Sequence, residues 1–404
     1  MSMNYSSAQT EKTSKLYIVF IAFLSAMVPL STDMYLPAMP NMVSFLNASP
    51  EQVNLTLILY FAIYGLGILI WGPLSDKYGR KPILFTGLSI FTLASLSCGL
   101  SVNIFQLIIS RMFQALGSGA VTSVVVAIVK DKFSGRQRQS VLAWVQSMTM
   151  LAPMLAPILG AFLLKVTSWY GIFYALTGFG AIGLIGSFFI GETIIAKNDI
   201  SAFKSISRLG IVLKNYAFTL LLLTFSIPFM SMMAFIASSS YIYIDHFGLS
   251  EQSYSYYFAL NAVFAIIGPS FYMWLSRGKD LKKLLTAGII TIAGAGILII
   301  SFGHISPFIF ALCVVPQTLM IAFLRTPTTH LMLEQQDQDT GSASSLINAI
   351  MTISGSVGMI IVSLGWESMI VAMGTISLTT GLISLGMWTF LLYKQEQKPF
   401  VKGI

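Results

Sequence analysis

The chain has 404 residues, of which 55% are hydrophobic and 9% charged, and its mean hydropathy is +0.80. Soluble domains carry about a quarter charged residues, so this depletion excludes an ordinary globular domain and points to a polytopic membrane protein. The formal net charge of +8 would by itself allow a nucleic-acid partner, but the placement of the positive residues argues against one.

Stretches of 18 or more nearly uncharged residues recur between short polar breaks, the spacing expected of membrane helices about 20 residues long. In chain order the predicted spans are 16–38, 52–74, 82–101, 104–128, 139–164, 170–191, 215–240, 255–275, 284–303, 307–329, 342–363 and 367–393. The first follows Lys12 and Lys15 and exceeds a signal-peptide core in length. No small-residue cleavage site follows it, so it is expected to be retained.

Twelve spans place both termini on one side. The termini and the loops after even-numbered spans hold 20 of the 23 Lys and Arg residues. The opposite loops hold only Lys165, while Arg111 and Arg325 fall inside spans. By the positive-inside rule both termini are expected in the cytoplasm of a bacterial inner-membrane protein. The basic balance thus reports topology, and no nucleic-acid partner is expected.

The longest break, roughly 192–214, is polar and basic and separates six spans from six. The expected organisation is an N-terminal six-helix bundle over 1–192, a cytoplasmic linker over 193–214 and a C-terminal six-helix bundle over 215–404. The fold class is then an all-α membrane protein with a central cavity between two repeated halves. Cys98 and Cys313 lie in apolar runs and read as small buried hydrophobes rather than a disulfide or metal site.

Ionisable residues inside spans are costly and are functional candidates by default. Asp33 lies in Pro29-Leu30-Ser31-Thr32-Asp33-Met34-Tyr35-Leu36-Pro37, where two prolines loosen the helix. Arg111, on the fourth span, is expected at a similar depth of about 10 Å from the outer helix end at 1.5 Å per residue. Opposite charges at one level point to a shared polar cavity, as a static ion pair or as a titratable acid tuned by a cation. Arg325, late in span ten, is open to two readings, cavity-lining or snorkelling to the interface. Glu51, Glu192, Asp245, His246, His304, His330 and Glu367 fall at span ends, where solvation accounts for them.

The fifth span carries Ala152-Pro153-Met154-Leu155-Ala156-Pro157-Ile158-Leu159-Gly160. Its prolines remove backbone bonds and its small residues permit close helix approach. The run Phe229-Met230-Ser231-Met232-Met233-Ala234-Phe235 supplies a pliable apolar surface suited to cargo, with Phe229, Met232 and Met233 the candidate contacts. No Ser–His–acid set, HExxH or Walker loop is visible, so neither an enzyme nor an ATP-driven pump is expected.

Between spans two and three stands Gly72-Pro73-Leu74-Ser75-Asp76-Lys77-Tyr78-Gly79-Arg80-Lys81. This decapeptide closely resembles the signature of the major facilitator superfamily. Arg111-Met112-Phe113-Gln114 with Gly117 and Gly119 resembles its span-four motif, and Pro153–Gly160 is similar to its span-five antiporter motif. Ser31-Thr32-Asp33-Met34-Tyr35-Leu36-Pro37 resembles the first span of the bicyclomycin/chloramphenicol-resistance (Bcr/CflA) drug exporters.

That resemblance implies drug/proton antiport by a monomer, with the proton as coupling ion and no cofactor or metal. Asp33 would exchange protons, Arg111 would tune it, and Asp33, Tyr35, Arg111, Phe229, Met232, Met233 and Arg325 would be the candidates for cargo contact. Gly72, Asp76, Gly79, Arg80 and Asp131 would form a cytoplasmic gate, with Asp76 against the start of span eleven. Ser25 stands where some relatives carry a second first-span acid, leaving Asp33 alone. Export of an endogenous siderophore, sugar or amino acid, proton symport, and a non-transporting receptor are the alternatives.

Overall fold

The computed structural model describes residues 16–194, 209–336, 340–397 and 399–404. The described residues form twelve helices long and apolar enough to cross a membrane. They are α1 (Leu16–Phe45), α2 (Pro50–Tyr78), α3 (Arg80–Gly99), α4 (Ile104–Lys132), α5 (Gly135–Val166) and α6 (Trp169–Phe188). The second six are α7 (Tyr216–His246), α8 (Glu251–Leu275), α9 (Leu281–Phe302), α10 (Pro307–Glu334), α11 (Gly341–Val362) and α12 (Met369–Gln397). The described part is all-α, as the composition required. Most of the 193–214 linker lies outside the described residues.

Helix starts follow local chemistry. Ser49 and Gln52 form a capping box ahead of Pro50. Asn103, Asn215, Ser250, Asp280 and Ser306 each accept a backbone N–H at the first turn of α4, α7, α8, α9 and α10. Several spans run past their predicted ends, α1 and α7 furthest. After a 3₁₀ turn at Leu36–Ala38, α1 resumes as Met39–Phe45, because Pro37 and Pro40 sit at first-turn positions that tolerate proline. α7 breaks at Pro228 and ends in a π-turn at Tyr241–His246.

The two sets of six share one packing scheme: α3 on α4 and α6, α2 on α4, and α1 on α5 are mirrored by α9 on α10 and α12, α8 on α10, and α7 on α11. The repeat barely legible in the sequence is carried by packing. Small residues allow the tightest crossings. A Cβ on Gly117 would strike the Gly87 carbonyl and Phe91, and one on Gly119 would press on Gly67.

Between the two sets, α2 packs on α11 and α5 on α8. Among the described residues, the hydrogen bonds that cross lie at the end opposite the α2–α3 loop. Asn54 Nδ2 donates to Ser363 Oγ at 2.9 Å, Ser255 Oγ to the Pro157 carbonyl at 2.9 Å, and Asn41 Nδ2 to Glu251 Oε1 at 3.0 Å. Nearer the middle, Gly65 of α2 lies close to Ala349 and Ile353 of α11. Beyond it the helices diverge: a Cβ on Gly72 or Gly341 would meet nothing within 4 Å. The molecule is closed at the end opposite the α2–α3 loop and open at the end that carries it.

Each crossing bond contributes about 1 kcal/mol. Asn54→Ala and Ser255→Ala are each expected to shift the closed-to-open ratio at that end about fivefold. Pulsed electron-electron distances between spin labels at the exposed positions Val102 and Glu367 measure this, and unchanged distributions in both variants would refute the assignment of these bonds to closure.

Candidate functional site

The most expensive group in the N-terminal set is Arg111, a fully buried guanidinium two turns into apolar α4. Its Nη1 donates to the Ser31 carbonyl at 2.8 Å and to Gln114 Oε1 at 2.6 Å. The carbonyl is available because α1 is irregular just beyond it. Two tyrosine faces take the flat charge: the guanidinium carbon lies 4.6 Å from the Tyr35 ring centre and 4.3 Å from that of Tyr60. Both rings are anchored at their hydroxyls, Tyr35 to Thr56 at 2.7 Å, and Tyr60 to Ser31 at 2.6 Å and Ser118 at 2.7 Å. Gln114 passes the network on to Ser95 at 2.8 Å.

Asp33 sits two residues from that carbonyl, with only 5% of its surface exposed. Thr32 Oγ1 donates to its Oδ1 at 2.9 Å. Asp33 and Arg111 feel one another electrostatically but no guanidinium nitrogen lies within 4.0 Å of the carboxylate. The sequence expectation of one polar neighbourhood holds, without a direct ion pair, because the backbone and the aromatic faces occupy Arg111. Its Nε and Nη2 have no hydrogen-bond partner. Tyr35, a candidate for cargo contact, is fully buried within this network.

The span-five motif meets the same region. A Cβ on Gly160 would collide with the carbonyl of Met34, the residue after Asp33. Pro157 is buried, and its carbonyl receives Ser255 from α8. Pro153, one turn earlier, lies within the same continuous helix. The motif thus sets α5 hard against the α1 break while also touching the other six-helix set.

At the open end, Arg80 Nε donates to Asp131 Oδ2 at 2.8 Å, Nη1 donates to Ser75 Oγ at 2.7 Å, and Arg80 also pairs with Asp76. Asp76 remains about half exposed, its side chain 49% accessible, and the first turn of α11 makes no hydrogen bond to it among the described residues. Arg80 and Asp131 therefore pair while this end is open. Gly79 has φ +111°, and any Cβ there would strike the Glu192 carboxylate.

Glu192 is a contact the sequence concealed. Its carboxylate accepts the backbone N–H of Arg80 at 2.9 Å and of Lys81 at 3.2 Å, capping α3 from 112 residues away. The Thr193 and Ile194 amides donate to it as well, at 2.9 and 3.1 Å. Partial burial pushes its proton affinity up, but these four N–H donors prevail and hold the carboxyl below the usual glutamate range.

In the C-terminal set, Arg325 projects from α10 with its side chain exposed and approaches Asn348 Oδ1 of α11 at 3.5 Å. Tyr64 of α2 lies within electrostatic range across the gap. Arg325 therefore lines the space between the two sets. Phe229 borders a cleft beside it. Met233 packs on Gly355 of α11, and Met232 packs against the C-terminal core.

A model of the Major Facilitator Superfamily matches residues 21–359. The chain belongs to the major facilitator superfamily. An uncharacterized MFS-type transporter, YdgK of Bacillus subtilis, is 32% identical over 90% of this chain and 93% of its own length. The bicyclomycin resistance protein homolog of Haemophilus influenzae is 28% identical over 89% and 92%. The multidrug resistance protein MdtL of Klebsiella pneumoniae is 28% identical over 60% and 62%. Among solved structures, a bacterial homolog of the lysosomal transporter Spinster superposes with a TM-score of 0.75 at 13% identity, covering 97% of this chain and 99% of its own. The D-xylose-proton symporter gives 0.68 at 13% identity, with 93% and 98% covered. These two establish the fold.

As a superfamily member this is a transporter rather than an enzyme, a multi-pass inner-membrane protein that handles a small-molecule substrate within the bilayer. Because Glu192 is held below its ordinary range, its contribution is present at neutral pH and is lost as pH falls through its folded value. Glu192→Ala removes an N-terminal cap worth about 1 kcal/mol. Hydrogen exchange at the Arg80 and Lys81 amides, corrected for intrinsic rates, is expected to quicken about fivefold at neutral pH. Acidification below the usual glutamate range of about 4.3 should close that gap; equal protection at neutral pH would contradict the cap.

Proposed function

We propose that this transporter is a proton-coupled efflux antiporter, exporting small, partly apolar compounds such as drugs across the cytoplasmic membrane by alternating access. The observation that carries this reading is Asp33, a membrane-embedded acid without an ion partner, set beside Arg111 with two idle guanidinium nitrogens. The names of the bicyclomycin- and multidrug-resistance relatives support it. By the positive-inside rule the end carrying the basic loops is cytoplasmic, both termini lie there, and this conformation is inward-open. The two six-helix sets, joined through 193–214, are the moving bodies, a single chain forms the pathway, and no cofactor is required.

Coupling rests on a carboxyl group whose cost depends on conformation. An isolated buried carboxylate costs several kcal/mol, whereas the neutral acid needs only its hydrogen bonds. Protonation of Asp33 from the outside therefore favours closure of the outer end around it. Cargo entering from the cytoplasm favours proton loss and the return outward, where Arg111 offers its free donors to the charged carboxylate. Proton and cargo are linked because each discriminates between the two states.

Gly160 and Pro157 transmit the movement of α1 to α8. At the inner end Arg80 stays tied to Asp131, while Asp76 transfers between Arg80 and the positive N-terminus of α11 as the gate closes. Gly72 and Gly79 give that loop its room. In everted vesicles Asp33→Asn is expected to abolish drug export driven by a pH gradient, at unchanged membrane expression, while Asp33→Glu retains part of it. Undiminished gradient-driven export in Asp33→Asn would sink the assignment.

A further inference from the structure

The antiport reading leaves Arg325 without a task. It stands inside α10, and no carboxylate lies within 4.0 Å of it among the described residues. Its side-chain hydrogen-bonding neighbour among the described residues is neutral, Asn348 of α11 at 3.5 Å. An arginine at membrane depth is costly to retain, and here it is aimed at open space rather than buried against a partner.

Its surroundings have two chemistries. Asn348 also presents Nδ2, which is held by the Ser344 carbonyl at 3.0 Å. Facing it from the other six-helix set is Tyr64, whose hydroxyl reaches Thr122 at 3.4 Å. On the other flank lies an apolar cleft formed by Phe225, Pro228, Phe229, Leu324 and Met351. That cleft measures about 20 Å³, room for little more than one water. It can seat only the edge of a ring, so the body of a ligand must occupy the vestibule.

Resting on the antiport reading, we propose that Arg325 is an anion-binding subsite of the vestibule, and that the cargo it selects is an amphipathic organic anion such as an aromatic carboxylate. The acid group pairs with the planar guanidinium, which offers two parallel N–H donors. The apolar body lies along Phe229 and Met351. Counted from the same end of the bundle, Arg325 and Arg111 differ in depth by about 16 Å at 1.5 Å per residue. The bound anion thus stays clear of Asp33, and linkage between them runs through the change of state rather than through contact.

The test uses full-length protein in phosphatidylcholine nanodiscs, without a proton gradient, so that the only organic anion offered is the probe. Calorimetry compares 2-naphthoate with 2-naphthamide, its neutral counterpart, and with 2-naphthylmethylammonium. The expected result is at least tenfold tighter binding of naphthoate than of either comparison probe. Arg325→Gln should abolish that preference while leaving naphthamide affinity in place, which also shows that the variant is folded, and Arg325→Lys should restore part of it. Equal affinities, a preference for the cation, undetectable naphthoate binding, or an unchanged preference in Arg325→Gln would each overturn the subsite. Because no gradient is involved, these outcomes are independent of whether Asp33→Asn abolishes driven export, so either reading can fall while the other stands.

Discussion

Everything in the N-terminal six helices is arranged around the cost of keeping a guanidinium inside a membrane span. Arg111 cannot shed its proton, so the fold must answer it with acceptors and π faces. The irregular turn of α1 exposes the Ser31 carbonyl, and Tyr35 and Tyr60 close over the charge from two helices. Gln114 and Ser95 extend the network to α3. Asp33 lies within the field of this cation but unpaired, so no bond to Arg111 locks its charge, as the proposed coupling requires.

The break in α1 links that site to the rest of the molecule. Gly160 presses on the Met34 carbonyl, and one helical turn earlier Pro157 receives Ser255 from the opposite set. Asn54 and Ser363 make the corresponding bond between α2 and α11. The closed end therefore rests on small polar contacts, one in each of these two helix pairs and a third from Asn41 of α1 to Glu251 of α8. Bonds of about 1 kcal/mol are the right size for such a device, because much stronger ones would hold the molecule in one state. At the other end the Arg80–Asp131 pair belongs wholly to the N-terminal set, which makes it a rigid base for the loop rather than the moving part of a gate.

Much of this was legible before the fold was known, for a physical reason: the bilayer demands about 20 apolar residues per crossing. That demand placed all twelve spans, and the same apolar background made Asp33 and Arg111 conspicuous. The extra turns of α1 and α7 lie past the predicted ends at 38 and 240: in α1 the helix resumes with Pro40 in its first turn, and in α7 it continues as a π-turn beyond the polar run Ser238-Ser239-Ser240. Glu192 reads in the sequence as a solvated span end, since nothing local announces a carboxylate that caps a helix 112 residues away. Asn54, Ser255 and Ser363 gave no signal because isolated small polar residues are common in membrane helices. Arg325 was visible as a charge, but only the proximity of α2 and α11 decides which way it faces.

The central claim is that protonation of Asp33 sets which end of the transporter is closed. The most direct measurement is the distance between spin labels at Val102 and Glu367, in nanodiscs without cargo, followed from alkaline to acidic pH. The account predicts that acidification raises the short-distance, outer-closed population in the wild type, and that Asp33→Asn holds that population constant at every pH. A pH response in Asp33→Asn equal to that of the wild type would contradict it.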